Sequence, residues 1–365
     1  MSYLQNIDSM LHRAGQWFLR SGIQEPSGGV ARYYRSDLGK NARVSTEITG
    51  YAVSSLLYLA ERTGGTNYTE AALRAARFLT ATAWNPALAA FPFEHSDNCD
   101  QPQPLAYFFD CGIIVRGLLQ AWRATRDHSL LDTAAAAGHA MIDDFEAGPG
   151  IHPILRLPEK QPLEYGTKWS NGPGCYQLKS AMAWFDLYEE TGLERFGHAY
   201  ERALEAALRC EDAFLPGDPD REKVMDRLHA YSYFLEGLLP AADRPEVAHA
   251  LAEGIAKTSR YLCDIAPRFA RSDVYAQLLR VRLCAAHAGA VPLDETSASF
   301  EAARAAEFQL ASGDPRIDGG FAFGKKGADV LPFVNPVSTG FCAQALALWH
   351  DHRTGALNPT RHALI

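Results

Sequence analysis

The sequence predicts an all-α protein whose twelve helices form an (α/α)6 toroid, with six inner and six outer helices. Three observations lead to this fold class. Six polar, glycine-marked segments each run into a long apolar helix, and six helices richer in Ala, Arg and Glu alternate with them. The polar segments recur about 60 residues apart, with one shorter step of about 44, as in arrays whose units bury their apolar faces on their neighbours.

The inner helices are apolar on nearly every side, which is typical of helices surrounded by protein. Each is preceded by the polar opening that marks its start. The segments that open and contain them are Ser45–Leu59, Phe109–Trp122, Asn171–Phe185, Arg227–Leu239, Arg271–Ala286 and Asn335–Trp349.

The outer helices carry apolar residues at helical spacing on one face and charged residues on the other. Six such helices close the alternation, so the whole chain, residues 1–365, is predicted to be one domain. The outer helices are expected at roughly 3–20, 69–83, 129–145, 194–210, 245–264 and 295–310.

A second internal similarity supports the repeat. The segments Phe18–Tyr34 and Phe308–Gly324 share a helix end, a turn-rich spacer and a Gly-Gly step, formed by Gly28-Gly29 and Gly319-Gly320. Paired glycines indicate positive φ or a close backbone approach. Thr-Gly pairs at Thr63, Thr191 and Thr354 predict helix C-termini closed by glycine.

Composition narrows the class of function. Hydrophobic residues make up 47% and charged residues 21%, as in a soluble globular protein, and the net charge of −8 argues against nucleic acid as a partner. We find no apolar run of about 18 residues and no secretory signal, so we expect a cytoplasmic protein that does not span a membrane. The seven cysteines are scattered without a CxxC pair, and we expect no structural zinc, other metal or cofactor.

In a toroid the N-termini of the inner helices meet on one rim, where the helix dipoles point positive charge at a shared cavity. Aromatic rings mixed with carboxylates and amides suit a sugar, because rings stack on pyranose faces while polar groups bind hydroxyls. The candidate substrate-binding residues are Tyr51, Lys168, Trp169, Asn171, Tyr176, Gln177, Arg227, Tyr231, Arg271, Asp273, Tyr275 and Asn335.

Three carboxylates near these helix starts are candidate general acids or bases: Glu47, Glu94 and Asp110. Each has a structural alternative. Glu47 would merely complement the helix dipole behind an N-cap at Ser45, and Asp110 would itself be an N-cap. Glu94, with its loop neighbours His95 and Asp97, would belong to a solvated turn, and no second histidine at ligand spacing supports a metal there.

His229 and Tyr233 are four residues apart, so on a helix they share a face and could act as a proton-transfer pair. The alternative is a core histidine with a satisfied hydrogen bond. Arg227, Arg271 and Lys168 could receive the carboxylate of a uronic acid, or could instead pair with acidic side chains of the protein.

With these openings and glycine stops, the whole chain resembles the six-hairpin glycosidase group of (α/α)6 toroids, which includes glycoside hydrolases, polysaccharide lyases and sugar epimerases. The resemblance is architectural and carries over no catalytic residue. It implies a carbohydrate-active enzyme acting on a small oligosaccharide, with hydrolysis as the first interpretation. A uronate lyase or C5-epimerase using His229 and Tyr233, and a non-catalytic glycan-binding toroid, are the alternatives. Terpenoid cyclases share the toroid, but their Asp-x-Asp-Asp motif is missing here.

Overall fold

The computed structural model describes residues 7–94, 104–148 and 150–365. This part of the chain contains twelve α-helices with short strands between them. The helices are α1 (Ile7–Arg20), α2 (Thr46–Thr63), α3 (Thr66–Phe78), α4 (Phe108–Thr125), α5 (His128–Phe145), α6 (Leu178–Thr191), α7 (Glu194–Cys210), α8 (Arg221–Leu238), α9 (Pro245–Ile265), α10 (Ser272–His287), α11 (Glu295–Ala306) and α12 (Pro336–Thr354).

Backbone contacts divide the chain into two compact units. Unit A comprises the described residues of 24–32 and 43–212, and unit B those of 7–23, 33–42 and 213–365. In unit A, α2, α4 and α6 are buried on nearly all sides, whereas α3, α5 and α7 bury one face. In unit B, α8, α10 and α12 are the enclosed helices, and α1, α9 and α11 are the amphipathic ones. The predicted alternation of outer and inner helices is therefore confirmed within each unit.

Glycines let the enclosed helices of unit A approach closely, with α2 against α4 and α4 against α6. A Cβ atom on Gly117 would lie 2.7 Å from the carbonyl oxygen of Gly50, and one on Gly112 would lie 2.4 Å from that of Ser180. Real side-chain carbons do not come so close to backbone oxygen. The absence of a side chain at these positions thus sets the spacing of the helices whose first turns carry Glu47 and Asp110.

The two Gly-Gly steps form the same joint twice. Gly28 has φ of 95° and Gly319 of 82°, and both would press a Cβ against a carbonyl of an outer helix. In unit A that carbonyl belongs to Arg74 of α3, at 2.6 Å, and in unit B to Arg13 of α1, at 2.3 Å. The recurrence seen in the sequence is thus a recurrence of structure.

Glutamine amides and threonine hydroxyls complete each joint. Gln24 Nε2 donates to the carbonyls of Gly28 and Ala71, and Gln309 Nε2 donates to those of Gly319 and Met10. The next helix is tied in by a threonine: Val30 N donates to Thr49 Oγ1 at 2.9 Å, and Phe321 N donates to Thr339 Oγ1 at 3.1 Å.

The helix stops match the prediction. Gly64, Gly192 and Gly355 follow α2, α6 and α12 in the left-handed conformation, with φ of 70°, 69° and 74°. Their backbone N–H groups donate to carbonyls of the last helical turn. Glycine meets no steric penalty at this φ, so each pair ends its helix locally.

Two predicted helix starts are wrong. Helix α8 begins at Arg221 behind an Asp220 N-cap, six residues before the predicted opening, so His229 and Tyr233 lie inside the helix. Helix α6 begins only at Leu178, after single 3-10 turns at Trp169–Asn171 and Cys175–Gln177. Pro173 and the glycines around it explain this delay, because they interrupt a continuous helix.

Small antiparallel sheets join the helices, and the sequence did not predict them because strands of two or three residues show no alternation. The strands are β1 (Tyr34–Arg35), β2 (Lys40–Asn41), β3 (Leu105–Tyr107), β4 (Glu146–Ala147), β5 (Gly150–Ile151), β6 (Ile154–Arg156), β7 (Gln161–Pro162), β8 (Phe269–Arg271), β9 (Gly324–Lys326), β10 (Asp329–Val330) and β11 (Phe333–Val334). Unit A contains the sheets β3-β6-β7 and β4-β5, and unit B contains β11-β1-β2 and β10-β9-β8.

None of the helices in the described ranges combines the length and apolarity that a bilayer crossing requires. The six cysteines that the structure describes are free thiols.

Candidate functional site

The start of α2 brings two of the predicted acids together in unit A. Ser45 is the N-cap and accepts a hydrogen bond from Ile48 N at 3.3 Å, which places Glu47 in the first turn. Ser45 also pairs with Glu94 in an antiparallel bridge, and Thr46 Oγ1 donates to the carbonyl of Pro92 at 2.6 Å. The loop that carries Glu94 is therefore attached to the helix end that carries Glu47.

Asp110 lies in the first turn of α4, but it is not the N-cap. That position is taken by Tyr107, whose side chain makes no capping hydrogen bond, so the interpretation of Asp110 as a cap is wrong. The Asp110 side chain is only 5% exposed, and its Oδ2 atom has no hydrogen-bond partner among the described residues. A buried carboxyl oxygen without a partner is costly as part of a charged group.

The two carboxyls affect each other's protonation. Burial raises the pKa of Glu47 to about 7, against the opposing influence of Arg32. Burial also raises the pKa of Asp110 well above its ordinary range, and the charge of Glu47 raises it further. Because Glu47 keeps more solvent contact than Asp110, we place the proton that this pair holds near neutral pH on Asp110.

Two arginines lie beside the acids, and the sequence did not point to Arg32. Arg43 donates to Glu94 at 3.2 Å, and Arg32 lies 3.9 Å from the same carboxylate. The Arg32 guanidinium is also 5.2 Å from the centre of the Phe93 ring, which packs against Tyr107 at 4.7 Å. Arg32 thus provides a partly exposed positive charge next to Glu47, Glu94 and Asp110.

Aromatic rings border the carboxyls. Burial raises the pKa of Tyr107, and the charge of Asp110 adds to the effect. Burial likewise raises the pKa of Tyr176, with Asp110 and Tyr107 contributing, so this ring lies within their electrostatic reach. Trp169 meets Tyr176 edge-on at 5.0 Å. We call this group the acid cluster: Arg32, Glu47, Glu94, Tyr107, Asp110, Trp169 and Tyr176.

Unit B contains a second group, centred on His229. Its Nδ1 atom lies 2.7 Å from Gln277 Oε1 and 3.5 Å from Asp273 Oδ2, and its ring meets Tyr233 edge-on at 4.5 Å. His229 and Tyr233 therefore do share a helix face. We call this group the histidine cluster: Asp226, His229, Tyr233, Arg271, Asp273 and Gln277.

Arg271 is fully engaged in this cluster. It donates to both oxygens of Asp273, at 3.0 and 2.6 Å, and to Asp226 at 2.7 Å. Burial opposes the charge of Asp273, but Arg271 outweighs it and the pKa of Asp273 is lowered. Burial, followed by repulsion from Arg271, lowers the pKa of His229 to about 4. The imidazole is therefore neutral at physiological pH.

Two candidate substrate-binding tyrosines lie in the core of unit B. Tyr231 is fully buried, with its ring 6.4 Å from Phe214 and its hydroxyl beside Gly254 of α9. Tyr275 is buried against Phe300 and Phe308. Both are core residues, which corrects their assignment to a sugar-binding surface.

Three polar candidates have structural roles. Arg227 donates to the carbonyl of Phe214 at 2.8 Å and lies over its ring. Gln177 accepts from Gly174 N and donates to the carbonyl of Ile151. Asn335 is the N-cap of α12 and accepts from Ser338 N at 2.6 Å.

The remaining candidates lie within α2, in the loop before α6, or outside the described residues. Tyr51 is buried within α2, whereas Lys168 is exposed at the start of the 3-10 turn before α6. Asn171 closes that loop by accepting from Gly166 N at 3.2 Å. His95 and Asp97 lie outside the described residues. Among those described, no three side chains of either cluster converge closely enough to ligate one metal ion.

No protein-family model matches the sequence, and no curated protein has a significantly similar sequence. Solved structures do match across most of the chain. A sugar epimerase from a ruminal bacterium aligns with a TM-score of 0.72 at 14% identity, covering 95% of this chain and 99% of that one. Cellobiose 2-epimerase from Bacillus thermoamylovorans B4167 aligns at 0.70 and 10% identity, covering 94% and 99%. A family 76 glycoside hydrolase from a bovine Bacteroides thetaiotaomicron strain aligns at 0.65 and 13% identity, covering 97% and 78%.

These alignments confirm the predicted fold class, the all-α (α/α)6 toroid, and the architectural resemblance to the six-hairpin glycosidase group. At such low identity they bear on the fold alone. The fold does not identify the reaction, which depends on the side chains of the two clusters.

Proposed function

We propose that this protein is a carbohydrate-active enzyme that hydrolyses a glycosidic bond in a small oligosaccharide at the acid cluster. The observation that carries the proposal is the pair formed by Glu47 and Asp110. Two carboxyls on consecutive inner helices, both with raised pKa and one with an unpartnered oxygen, match what glycoside hydrolysis requires.

In this mechanism Asp110 is the general acid and Glu47 the general base. Protonated Asp110 gives its proton to the glycosidic oxygen, so the bond from that oxygen to the anomeric carbon breaks and the leaving sugar departs as an alcohol. Ionised Glu47 takes a proton from a water molecule whose oxygen attacks the anomeric carbon from the opposite face. This route inverts the anomeric configuration and consumes one water.

The neighbouring groups have supporting roles. The charge of Arg32 opposes the rise in the pKa of both acids and so favours the ionised form of Glu47. Glu94, held by Arg43, is an acceptor for sugar hydroxyls. Trp169 and Tyr176 offer ring surfaces for a pyranose face.

The comparisons support sugar as the substrate class. The three aligned structures are two sugar epimerases and a glycoside hydrolase, and all act on carbohydrates by their names. Their shared fold with this chain makes a sugar the first substrate class to examine, and the acid pair favours hydrolysis within it.

The test is turnover of a panel of oligosaccharides by Asp110→Asn and Glu47→Gln. We expect both to lose hydrolysis, while Glu205→Gln, at an exposed carboxylate of α7, keeps it. Hydrolysis by Asp110→Asn at the wild-type rate would refute the mechanism. Weaker glycan binding in both variants, with no turnover by any form, would favour a non-catalytic glycan-binding protein.

A second candidate is proton abstraction from a sugar carbon by His229, as in an epimerase. A neutral, largely buried imidazole next to Asp273 and Tyr233 favours it. Arg271 is already paired with two aspartates, so it lacks the capacity to receive a uronate carboxylate, and a neutral sugar fits this cluster better.

Exchange of substrate hydrogen with D2O separates the candidates. An epimerase incorporates deuterium at the inverted carbon and loses that ability in His229→Gln, whereas an inverting hydrolase incorporates none. A lyase acting on a uronate polymer would instead create an ultraviolet-absorbing double bond.

A further inference from the structure

The orientation of one buried amide, that of Gln277 in α10, determines where His229 carries its proton. Gln277 is fully buried, and its Nε2 atom donates to the backbone carbonyl of His229 at 3.4 Å. A carbonyl oxygen only accepts hydrogen bonds, so the NH2 end of the amide must face it. The oxygen end, Oε1, is thereby directed at the imidazole.

The orientation of this amide also determines which ring nitrogen of His229 carries the proton. Gln277 Oε1 lies 2.7 Å from His229 Nδ1, and an amide oxygen also only accepts, so Nδ1 must be the protonated nitrogen. Asp273 Oδ2, at 3.5 Å from the same atom, is a second acceptor that favours the same form. In the neutral ring Nε2 then carries the lone pair, and no described residue makes a hydrogen bond to it.

We propose that Gln277 is a positioning residue that fixes His229 in the Nδ1-protonated tautomer, so that Nε2 is the basic atom offered to the C–H bond of an open-chain aldose. The substrate class rests on the second candidate function given above. The tautomer does not depend on it. The accessible 12% of the His229 side chain provides the only surface on which a substrate can meet this ring.

The charges around the ring suit such a base. Arg271 and Asp273 from the α10 side and Asp226 from α8 are the ionised groups that influence His229, and Tyr233 is its titratable neighbour on the same helix. Burial raises the pKa of the Cys342 thiol in α12, and the charge of Asp273 raises it further, so this thiol stays neutral. Because Arg271 holds Asp273 on both oxygens, Asp273 attracts the ring without taking its proton.

Proton transfer between the substrate carbon and His229 Nε2 accounts for every proton and electron pair in the epimerisation. Nε2 takes the hydrogen on the carbon next to the aldehyde as a proton, and the C–H electron pair forms the carbon–carbon double bond of an enediolate. The π pair of the carbonyl moves onto the aldehyde oxygen, and the ring becomes an imidazolium. Its Nδ1–H stays bound to Gln277, and Asp273 at 3.5 Å faces the new positive charge. After the enediolate turns its other face to the ring, return of the proton to that face re-forms the aldehyde and gives the epimer, with no redox partner consumed.

The test is nuclear magnetic resonance of the full-length protein labelled with [15N]histidine, using His229→Gln to assign the signals. We expect wild-type His229 to show a protonated Nδ1 and an unprotonated Nε2 from pH 6 to 8. In Gln277→Met the Nε2-protonated form should appear beside the first. In Gln277→Glu a carboxylate replaces the amide, and the pKa of His229 should rise by about 1–3 units.

Gln344→Met is the matched control, because it removes another buried amide of unit B that contacts Arg280, Ala363 and Ile365 instead of His229. A wild-type ring protonated at Nε2 would overturn the proposal, whether or not the variants fold. An unchanged His229 spectrum in folded Gln277→Met and Gln277→Glu would overturn it as well. If the tautomer is as expected but His229→Gln still exchanges deuterium, then the epimerase function fails while the positioning role stands.

Discussion

A Cβ atom on Gly112 in α4 would lie only 2.4 Å from the carbonyl oxygen of Ser180 in α6, so there is no room for a side chain at this position. Gly112 is two residues after Asp110, so this crossing holds the first turn of α4 against its neighbour. Ser180 Oγ reinforces it by donating to the carbonyl of Phe109 at 2.6 Å. The position of the proposed acid therefore depends on a missing side chain.

We predict that Gly112→Ala destabilises the protein by about 1–3 kcal/mol, because the methyl group meets backbone that cannot move independently. The measurement is urea unfolding monitored by circular dichroism. Gly197→Ala is the control, since a Cβ there meets only the Tyr188 ring at 3.4 Å and alanine favours the helix. Equal stability of the two variants would contradict the close approach of α4 and α6.

Glu47→Gln should stabilise the folded protein above pH 7. The folded-state pKa of about 7 exceeds the ordinary value, so the folded state binds more protons between pH 4.5 and 7 and loses stability as the pH rises through that window. A neutral amide escapes this loss, which amounts to about 1–3 kcal/mol. Thermal unfolding of both forms from pH 4 to 8 should show the gap opening with pH. A constant gap would disprove the raised pKa.

The proposed hydrolysis should have a bell-shaped pH dependence of kcat/KM. Its acidic limb reflects ionisation of Glu47 near pH 7, and its alkaline limb reflects loss of the Asp110 proton. Asp110→Asn should lower kcat by about 10²–10⁴ on substrates with poor leaving groups. Much smaller losses are expected with activated aryl glycosides, because a good leaving group does not need the acid. Equal losses on both substrate types would argue against a general acid at this position.

Removal of one aspartate from Arg271 should cost more than removal of the other. Asp273→Asn leaves a buried guanidinium without its two-oxygen partner, and we expect a loss of about 3 kcal/mol in the free energy of unfolding. Asp226 is 48% exposed, so Asp226→Asn is the matched control with a loss of at most about 1 kcal/mol. Similar losses in chemical denaturation would show that the Arg271–Asp273 pair is not the principal one.

The features predicted well from the sequence are those fixed by short stretches of chain. The Ser45 cap, the Gly64 and Gly192 stops and the paired Gly28-Gly29 step each depend on residues next to one another, and the structure shows them as expected.

The features predicted poorly depend on the rotation of each helix about its own axis, which decides which of its side chains are buried. Tyr231 and Tyr275 lie on helices that are buried on nearly all sides, so the sequence does not indicate which face of each helix meets solvent, and both tyrosines proved to be core residues. Arg32 and Gln277 were missed for a related reason. Their partners are distant in sequence, and only the packing of several helices brings them together.

The joints at Gly28 and Gly319 share one geometry, but they lead to helices whose first turns carry different side chains. One ends at a helix whose opening turn bears Glu47, the other at a helix that opens with an Asn335 cap and no acid. The same joint geometry is thus compatible with different side chains in the first turn of the helix that follows. Reactive side chains could be exchanged between the two helix starts without changing the joints, which makes the start of α12 a suitable place to engineer a new activity.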